Sequence, residues 1–187
     1  MSSKKDIFRK NCLSKMQKTS KHNKIYRDLI INKKLLLELK KVKNKKILFY
    51  YPFKFEADIR KSLNFLRKKN TIYTPFMQLQ SFKMVPFRLP LKKKRFGILE
   101  AGNTIKNINK IDIAIVPVVG IDANLQRVGF GKGMYDRFFA KLTKKPYTIF
   151  IQSQLCYTKD FVCDDYDINC DLLLTPTKNV AVSKRLG

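Results

Sequence analysis

Short apolar runs alternate along this chain with longer segments in which apolar residues recur every three or four positions. Phe8, Cys12 and Met16 lie four residues apart, a spacing that predicts a helix over residues 4–17. The patterns farther along predict helices over about residues 23–40, 58–69 and 133–142. Apolar runs bounded by prolines, glycines or lysines predict strands at residues 47–51, 71–74, 77–84, 111–119, 147–152 and 171–175.

This alternation of helices and strands predicts a three-layer α/β domain with a central, mostly parallel, Rossmann-like sheet flanked by helices. The run 111–119 is apolar on both faces, so we expect it to form a central strand. No repeat and no long linker divides the chain, and we expect a single domain over residues 1–187. It would begin with the helices of residues 4–40 and end in a short basic tail, residues 178–187.

The charge is strongly unbalanced, with 40 Lys and Arg residues against 14 Asp and Glu residues, a net charge of +26. Such an excess suggests a polyanionic partner, with nucleic acid as the first candidate. The basic residues are, however, spread over residues 1–110, and no recognised nucleic-acid-binding pattern accompanies them. A solvated lysine-rich surface explains the charge equally well.

Other features of the sequence bear on where the protein is located and on whether its cysteines bind zinc. The nearly apolar stretch Ile113–Ile121 is too short to span a bilayer, and the N-terminus lacks the apolar core of a secretion signal, so we expect a cytoplasmic protein without a membrane partner. The four cysteines, Cys12, Cys156, Cys163 and Cys170, form no CxxC pair, and the single histidine is His22. We expect reduced, partly buried cysteines rather than a zinc site.

The segment most suggestive of chemistry is RVGFGKGMYDR, residues 127–137. Its three alternate glycines (Gly129, Gly131 and Gly133) indicate backbone that needs unusual torsions or approaches a ligand closely. The loop follows the central strand and precedes a helix, where free N–H groups favour a phosphate. A tight surface connection is the alternative. The spacing matches neither a P-loop nor the dinucleotide-binding GxGxxG.

This segment resembles the signature of 5-formyltetrahydrofolate cyclo-ligases, in which an apolar strand and an aspartate-containing turn precede Arg-Leu-Gly-x-Gly-x-Gly-Tyr-Tyr-Asp. Weaker similarities occur elsewhere in the chain, in the same order as in the family, at Lys5-x-x-x-Arg9, Tyr51–Asp58, Phe96–Glu100 and Asp167–Asp171. Two positions depart from the family pattern: Met134 replaces the first tyrosine, and Ala101 stands where proline is usual.

The resemblance implies an ATP- and Mg²⁺-dependent conversion of 5-formyltetrahydrofolate to 5,10-methenyltetrahydrofolate, through phosphorylation of the formyl oxygen and attack by N10. Lys132 and Arg127 would be the catalytic cations. The implied ATP contacts are Lys5, Arg9, Arg127, Gly129, Phe130, Gly131, Lys132, Gly133, Met134 and Tyr135. The implied folate contacts are Tyr51, Glu56, Phe130, Gly131 and Met134, and the implied Mg²⁺ ligands are Asp136 and Asp171.

We expect the folate, with or without a polyglutamate tail, to be the partner of a monomeric enzyme, and nucleic acid is disfavoured. Two alternatives to this function are a basic nucleic-acid-binding protein, with the glycine loop holding backbone phosphate, and an inactive scaffold on the same fold.

Overall fold

The computed structural model describes residues 3–78, 80–93, 99–105 and 108–181, and forms helices and strands in the predicted alternation. The helices are α1 (Lys4–Ser20), α2 (Lys24–Leu39), α3 (Arg60–Leu66) and α4 (Met134–Phe139). The strands are β1 (Lys46–Leu48), β2 (Thr71–Met77), β3 (Phe82–Pro86), β4 (Lys92–Lys93), β5 (Leu99–Glu100), β6 (Ile113–Pro117), β7 (Gly120–Ile121), β8 (Arg127–Val128), β9 (Tyr147–Ile151), β10 (Leu172–Leu174) and β11 (Asn179–Ala181).

Seven of these strands form one sheet in the order β11-β10-β9-β6-β1-β2-β3. The strands from β10 to β2 are parallel to one another, and an antiparallel strand closes each edge. The predicted mostly parallel α/β sheet is therefore confirmed. All five residues of β6 are buried, as expected for a central strand.

Helices cover both faces of this sheet. On one face α2 and α3 bury Ile31, Leu35 and Leu63 against the strands of the sheet. On the other face Phe138 of α4 joins a second apolar cluster with Val116 of β6. These two clusters produce the three layers that the sequence predicted.

The predicted strand boundaries were wrong between residues 71 and 86. β2 continues through Pro75 to Met77, and a turn in which the Gln78 N–H donates to the Ser81 carbonyl leads into β3. β1 pairs with β2 only as far as Tyr73, so Pro75 has β3 as its sole pairing partner and its missing N–H is tolerated.

A hairpin, rather than the central strand itself, leads into the glycine-rich loop. β7 and β8 pair antiparallel around the turn at Asp122, whose buried carboxylate accepts N–H groups from Asn124, Gln126 and Cys163. α4 then follows the loop but ends at Phe139, three residues before the predicted limit.

The cysteine prediction was wrong for two of the four residues. Cys12 of α1 and Cys156 of the loop after β9 form a disulfide across 144 residues. Cys163 and Cys170 are free thiols, and burial raises the pKa of both. The sequence could not show this pairing because it depends on where α1 docks.

The C-terminal segment differs from the predicted tail, because Asn179–Ala181 pair with β10 as the edge strand β11. Residues 182–187, and residues 96–98 of the weak family similarity, lie outside the described residues. Within the described part of the chain, no helix combines the length and the apolar character needed to cross a membrane.

Candidate functional site

A cavity of about 420 Å³ opens beside the glycine-rich loop, near the carboxyl end of β6. Most of its lining consists of cationic side chains, loop glycines and two carboxylates. The lining residues are Lys5, Arg9, Arg127, Gly129, Gly131, Lys132, Gly133, Asp136, Arg137, Ala140, Tyr166 and Asp167. Helix α1, the loop and the segment before β10 thus meet here although they are far apart in sequence. The excess of cations suits an anionic ligand.

Two different structural features explain why glycine occupies these three positions of the loop. Gly131 and Gly133 have φ angles of 91° and 58°, in the left-handed region that side-chain-bearing residues rarely adopt. A Cβ atom on Gly129 would lie 2.3 Å from Nη1 of Arg127, so a glycine is needed for the guanidinium to pass. The Arg127 side chain in its present position therefore requires a residue without a Cβ atom at position 129.

Arg127 is buried beneath the loop and fixed on three sides. Its Nε donates to the Pro117 carbonyl at 3.1 Å, and Nη1 lies 3.7 Å from Oδ2 of Asp136. The guanidinium carbon lies 4.8 Å from the centre of the Tyr135 ring. These contacts hold a permanent positive charge at the floor of the cavity.

Helix α1 contributes Lys5 and Arg9 to the lining of the cavity. Ser3 caps the helix, its hydroxyl accepting the Asp6 N–H. Arg9 Nε donates to the Gly129 carbonyl at 2.9 Å, which places the α1 cation directly against the glycine loop. The prediction that Lys5 and Arg9 share one side of α1 is confirmed.

Lys5 also contacts two carboxylates, an arrangement that the sequence did not predict. Its ammonium donates to Asp164 at 3.0 Å and to Asp167. Burial alone would lower the pKa of Lys5, but the hydrogen bonds from Lys5 to Asp167 and Asp164 raise it above the ordinary value. Lys5 therefore remains charged at any physiological pH.

The two predicted metal ligands lie in different places. Asp136 lines the cavity, whereas Asp171 immediately precedes β10 and accepts the Thr148 N–H at 2.7 Å near the amino end of β9. Because β9 and β10 are parallel, Asp171 lies at the sheet edge opposite the cavity. Asp167, four residues earlier in the same family-like segment, lines the cavity instead.

Asp136 and Asp167 are the two carboxylates that line the cavity, and they could contribute oxygen ligands to a Mg²⁺ ion. Oδ1 of Asp136 is buried without a hydrogen-bond partner, which leaves an anionic oxygen available for a cation. In the parts of the chain that the structure describes, no group of three or more His, Cys, Asp or Glu residues is placed to hold a metal. Mg²⁺ requires no such group, since it often takes one or two carboxylates together with phosphates and water.

The predicted folate contacts Tyr51 and Glu56 lie in the segment that follows β1. The carboxylate of Glu56 is buried and accepts the Phe53 N–H at 2.8 Å. Burial raises its pKa to about 7, against the lowering effects of that hydrogen bond and of Arg127. The side chain of Tyr51 lies beside Arg60, whose guanidinium carbon is 6.0 Å from the ring centre.

Phe53 is a candidate contact that the sequence reasoning missed. Its ring centre lies 6.5 Å from that of Phe130 in the glycine loop, and both side chains are more than one-third exposed. Two accessible aromatic rings at this distance offer a surface for a flat heterocycle. The signal in the sequence was the position of Phe53 between Tyr51 and Glu56.

Three of the predicted ATP contacts are not among the residues that line the cavity. Phe130 lies against Phe53, while Met134 and Tyr135 pack against the apolar cluster of α4. The Tyr135 ring meets Phe82 edge-on at 4.9 Å. Burial, together with the nearby Glu56 carboxylate, raises the pKa of Tyr135 well above its ordinary value.

The sequence matches the model of the 5-formyltetrahydrofolate cyclo-ligase family over residues 1–176. The chain belongs to this family. It is 31% identical over 171 residues to a 5-formyltetrahydrofolate cyclo-ligase of Mycoplasma pneumoniae, covering 91% of this chain and 97% of the relative. It is 30% identical over 175 residues to the cyclo-ligase of Mycoplasma genitalium, covering 91% and 96%.

Solved structures of two 5,10-methenyltetrahydrofolate synthetases share the fold. The 5,10-methenyltetrahydrofolate synthetase of Aquifex aeolicus superposes with a TM-score of 0.75 at 23% identity, covering 98% of this chain and 95% of that protein. The 5,10-methenyltetrahydrofolate synthetase of Mycoplasma pneumoniae superposes with a TM-score of 0.69 at 26% identity, covering 92% and 99%. This α/β fold was expected from the sequence.

Proposed function

We propose that the protein is a 5-formyltetrahydrofolate cyclo-ligase that uses ATP and Mg²⁺ to form 5,10-methenyltetrahydrofolate, ADP and phosphate. The observation that carries the proposal is the convergence of Lys5, Arg9, Arg127 and Lys132 around the glycine loop, with Asp136 among them. The names of the relatives at about 30% identity support the same reaction.

In the proposed reaction, the γ-phosphoryl group moves from ATP to the formyl oxygen of the folate. This converts a poor leaving group into phosphate, and N10 then attacks the formyl carbon and forms the new C–N bond. Phosphate departs with the former formyl oxygen, and N10 loses its proton. A transfer of this kind needs positioning and neutralisation of charge more than a protein nucleophile.

The loop and its cations would position the triphosphate. The loop at Gly131–Gly133 and the side chains of Lys5 and Arg9 line the same cavity, so backbone N–H groups and these two cations could hold the phosphates together. Lys132 would neutralise charge on the transferring group. Arg127, fixed by Pro117 and Asp136, would act chiefly by keeping the cavity floor positive.

Asp136 and Asp167 are the proposed Mg²⁺ ligands, with Asp167 replacing the earlier hypothesis for Asp171. Bound Mg²⁺ would neutralise negative charge on the phosphates. The partnerless Oδ1 of Asp136 supports its assignment. Asp167 would then be shared between the ion and the ammonium of Lys5.

The folate would lie on the side of the site formed by Tyr51, Glu56, Phe53 and Phe130. The two phenylalanines would contact its flat rings, with Tyr51 beside them. Glu56, with a pKa raised to about 7, could accept the proton that N10 loses as the ring closes. We propose this as a role in addition to substrate contact.

The proposal is tested by following methenyltetrahydrofolate absorbance with purified protein, ATP, Mg²⁺ and 5-formyltetrahydrofolate. Product should form only when nucleotide and Mg²⁺ are both present. Formation without nucleotide, or no turnover by folded protein, would contradict it, and the second result would favour an inactive scaffold. Tight, steeply salt-dependent binding of RNA or DNA without turnover would favour the nucleic-acid alternative.

A further inference from the structure

One face of α1 carries two of the cations that line the cavity and also one of the two cysteines of the disulfide. Lys5, Arg9, Cys12 and Met16 follow one another at intervals of four, three and four residues, which places them on the same side of a helix. Lys5 and Arg9 line the cavity, and Cys12 is bonded to Cys156. Cys12 lies three residues, less than one helical turn, from Arg9.

Helix α1 has few other attachments to the rest of the protein. Of its 17 residues, only Cys12 and Met16 are buried. The helix lies close against β7, because a Cβ atom on Gly120 would lie 2.7 Å from the Phe8 ring and 2.9 Å from Sγ of Cys12. A helix that buries so little apolar surface is expected to open locally at low free-energy cost.

The polar attachments of α1 near the cavity come from the same groups that the proposed nucleotide would engage. Arg9 donates to the Gly129 carbonyl, and Lys5 donates to Asp167 and Asp164. If these cations turn toward phosphates, the helix keeps the covalent bond and the apolar contacts of Phe8, Leu13 and Met16 around it as anchors. The disulfide therefore limits how far the two cations can move from the loop.

We propose that the Cys12–Cys156 disulfide positions Lys5 and Arg9 for the triphosphate, so that nucleotide affinity depends on the thiol redox state of the protein. This inference rests on the proposed function of the cavity. Reduction by a dithiol breaks the S–S bond and yields two cysteine thiols, while the dithiol is oxidised to its cyclic disulfide. Two electrons and two protons pass from the dithiol to the protein.

Nucleotide binding and reduction are linked through α1. Cys12 and Cys156 are 0% and 3% exposed, so a reductant reaches the bond only when the helix opens. A triphosphate held by Lys5 and Arg9 favours the closed position, so the helix is open less of the time and reduction is slower. A disulfide with a purely structural role elsewhere in the fold would lack this coupling.

The first experiment measures ATP affinity by calorimetry for the oxidised protein and for protein reduced with dithiothreitol. We expect the oxidised form to bind about 5–150-fold more tightly, the usual range for coupled sites. The double variant Cys12→Ser/Cys156→Ser should bind like the reduced protein and ignore dithiothreitol. Cys163→Ser, which removes a free thiol, should keep the wild-type sensitivity.

The second experiment counts thiols during reduction, with and without the non-hydrolysable analogue AMP-PNP plus Mg²⁺. Denatured oxidised protein should present two thiols and reduced protein four. The nucleotide should slow the change from two to four. Binding of 5-formyltetrahydrofolate alone, on the side of Tyr51 and Glu56, should be equal in both forms.

The outcomes separate this inference from the function on which it rests. Equal ATP affinity in the oxidised and reduced forms, or a reduction rate unaffected by nucleotide, overturns the positioning role and leaves the proposed reaction intact. Four thiols that never form a disulfide in the presence of oxidised glutathione overturn it as well. Absence of ATP binding to either form overturns the proposed function and, with it, this inference.

Discussion

The guanidinium of Arg127 and the carboxylate of Asp136 face each other across the floor of the cavity, with Nη1 3.7 Å from Oδ2. Both side chains are largely buried, and Oδ1 of Asp136 remains without a partner. The pair thus holds one carboxylate oxygen by charge and leaves the other buried without a hydrogen-bond partner. That second oxygen is the one that the proposed Mg²⁺ site would use.

The spacing of Arg127 and Asp136 depends on Gly129, which yields the first prediction. Gly129→Ala places a Cβ atom 2.3 Å from Nη1 of Arg127 and must displace the guanidinium. We expect a loss of about 1–3 kcal/mol in the free energy of unfolding, as for other overpacked sites, together with lower turnover. Urea denaturation and the methenyltetrahydrofolate assay measure the two effects.

The matched control is Gly102→Ala, since a Cβ atom there meets nothing within 4 Å. It should leave stability and turnover near wild type. Wild-type behaviour of Gly129→Ala would mean that the guanidinium can move without consequence.

The second prediction concerns Lys132, whose side chain is exposed along the cavity wall. Lys132→Ala should lower turnover by about 10²–10³, the usual cost of removing a group that stabilises developing charge. ATP affinity should fall much less, because Lys5, Arg9 and the loop backbone remain. Turnover and calorimetric ATP binding are measured on one preparation.

Lys144→Ala removes an exposed lysine that is not among the residues lining the cavity, and should change neither quantity. If Lys132→Ala turns over within threefold of wild type, the catalytic charge resides elsewhere, with Arg9 and Arg127 as the next candidates.

The third prediction distinguishes the two proposed Mg²⁺ ligands, Asp136 and Asp167, from Asp171. Asp136→Asn and Asp167→Asn should each raise the Mg²⁺ concentration needed for half-maximal turnover by at least about tenfold. Replacing a residue that only supports a metal ligand already lowers metal affinity by about this factor. Asp171→Asn should titrate like wild type, because Asp171 contacts Thr148 at the opposite sheet edge. A shifted Mg²⁺ titration for Asp171→Asn alone would restore the sequence-based hypothesis.

The fourth prediction is a pH dependence of stability that arises from Glu56. Burial raises its pKa from 4.5 to about 7, so the folded protein binds a proton that the unfolded chain has already released between these values. The stability contributed by the protonated carboxyl is complete below about pH 4.5 and is lost as the pH rises toward and past 7. The loss is on the order of 3 kcal/mol.

Urea unfolding at about pH 5 and about pH 8 measures this loss, and Glu56→Gln should remove most of the difference between the two conditions. Glu38→Gln, on α2 and outside the cavity, serves as the control. An unchanged pH dependence in Glu56→Gln would show that the carboxyl is not the titrating group.

The sequence alone determined the alternation of helices with the parallel strands of the sheet, and it singled out the glycine-rich loop. Apolar runs specified the strands because buried parallel strands need apolar residues on both faces, and β6 illustrates this. The glycines at 129, 131 and 133 identified the loop because positive φ angles and a close approach of the Arg127 side chain favour residues without a Cβ atom. These are local constraints, and local sequence therefore reveals them.

The tertiary structure decided which distant residues join that loop. Asp167 and Asp171 are alike in type and neighbourhood, and only the direction of β10 places one at the cavity and the other at the far edge. Cys12 and Cys156 meet because α1 docks on Gly120 of β7, a contact between segments 144 residues apart. Such partners depend on how helices and strands pack in three dimensions, which no local pattern of residues encodes.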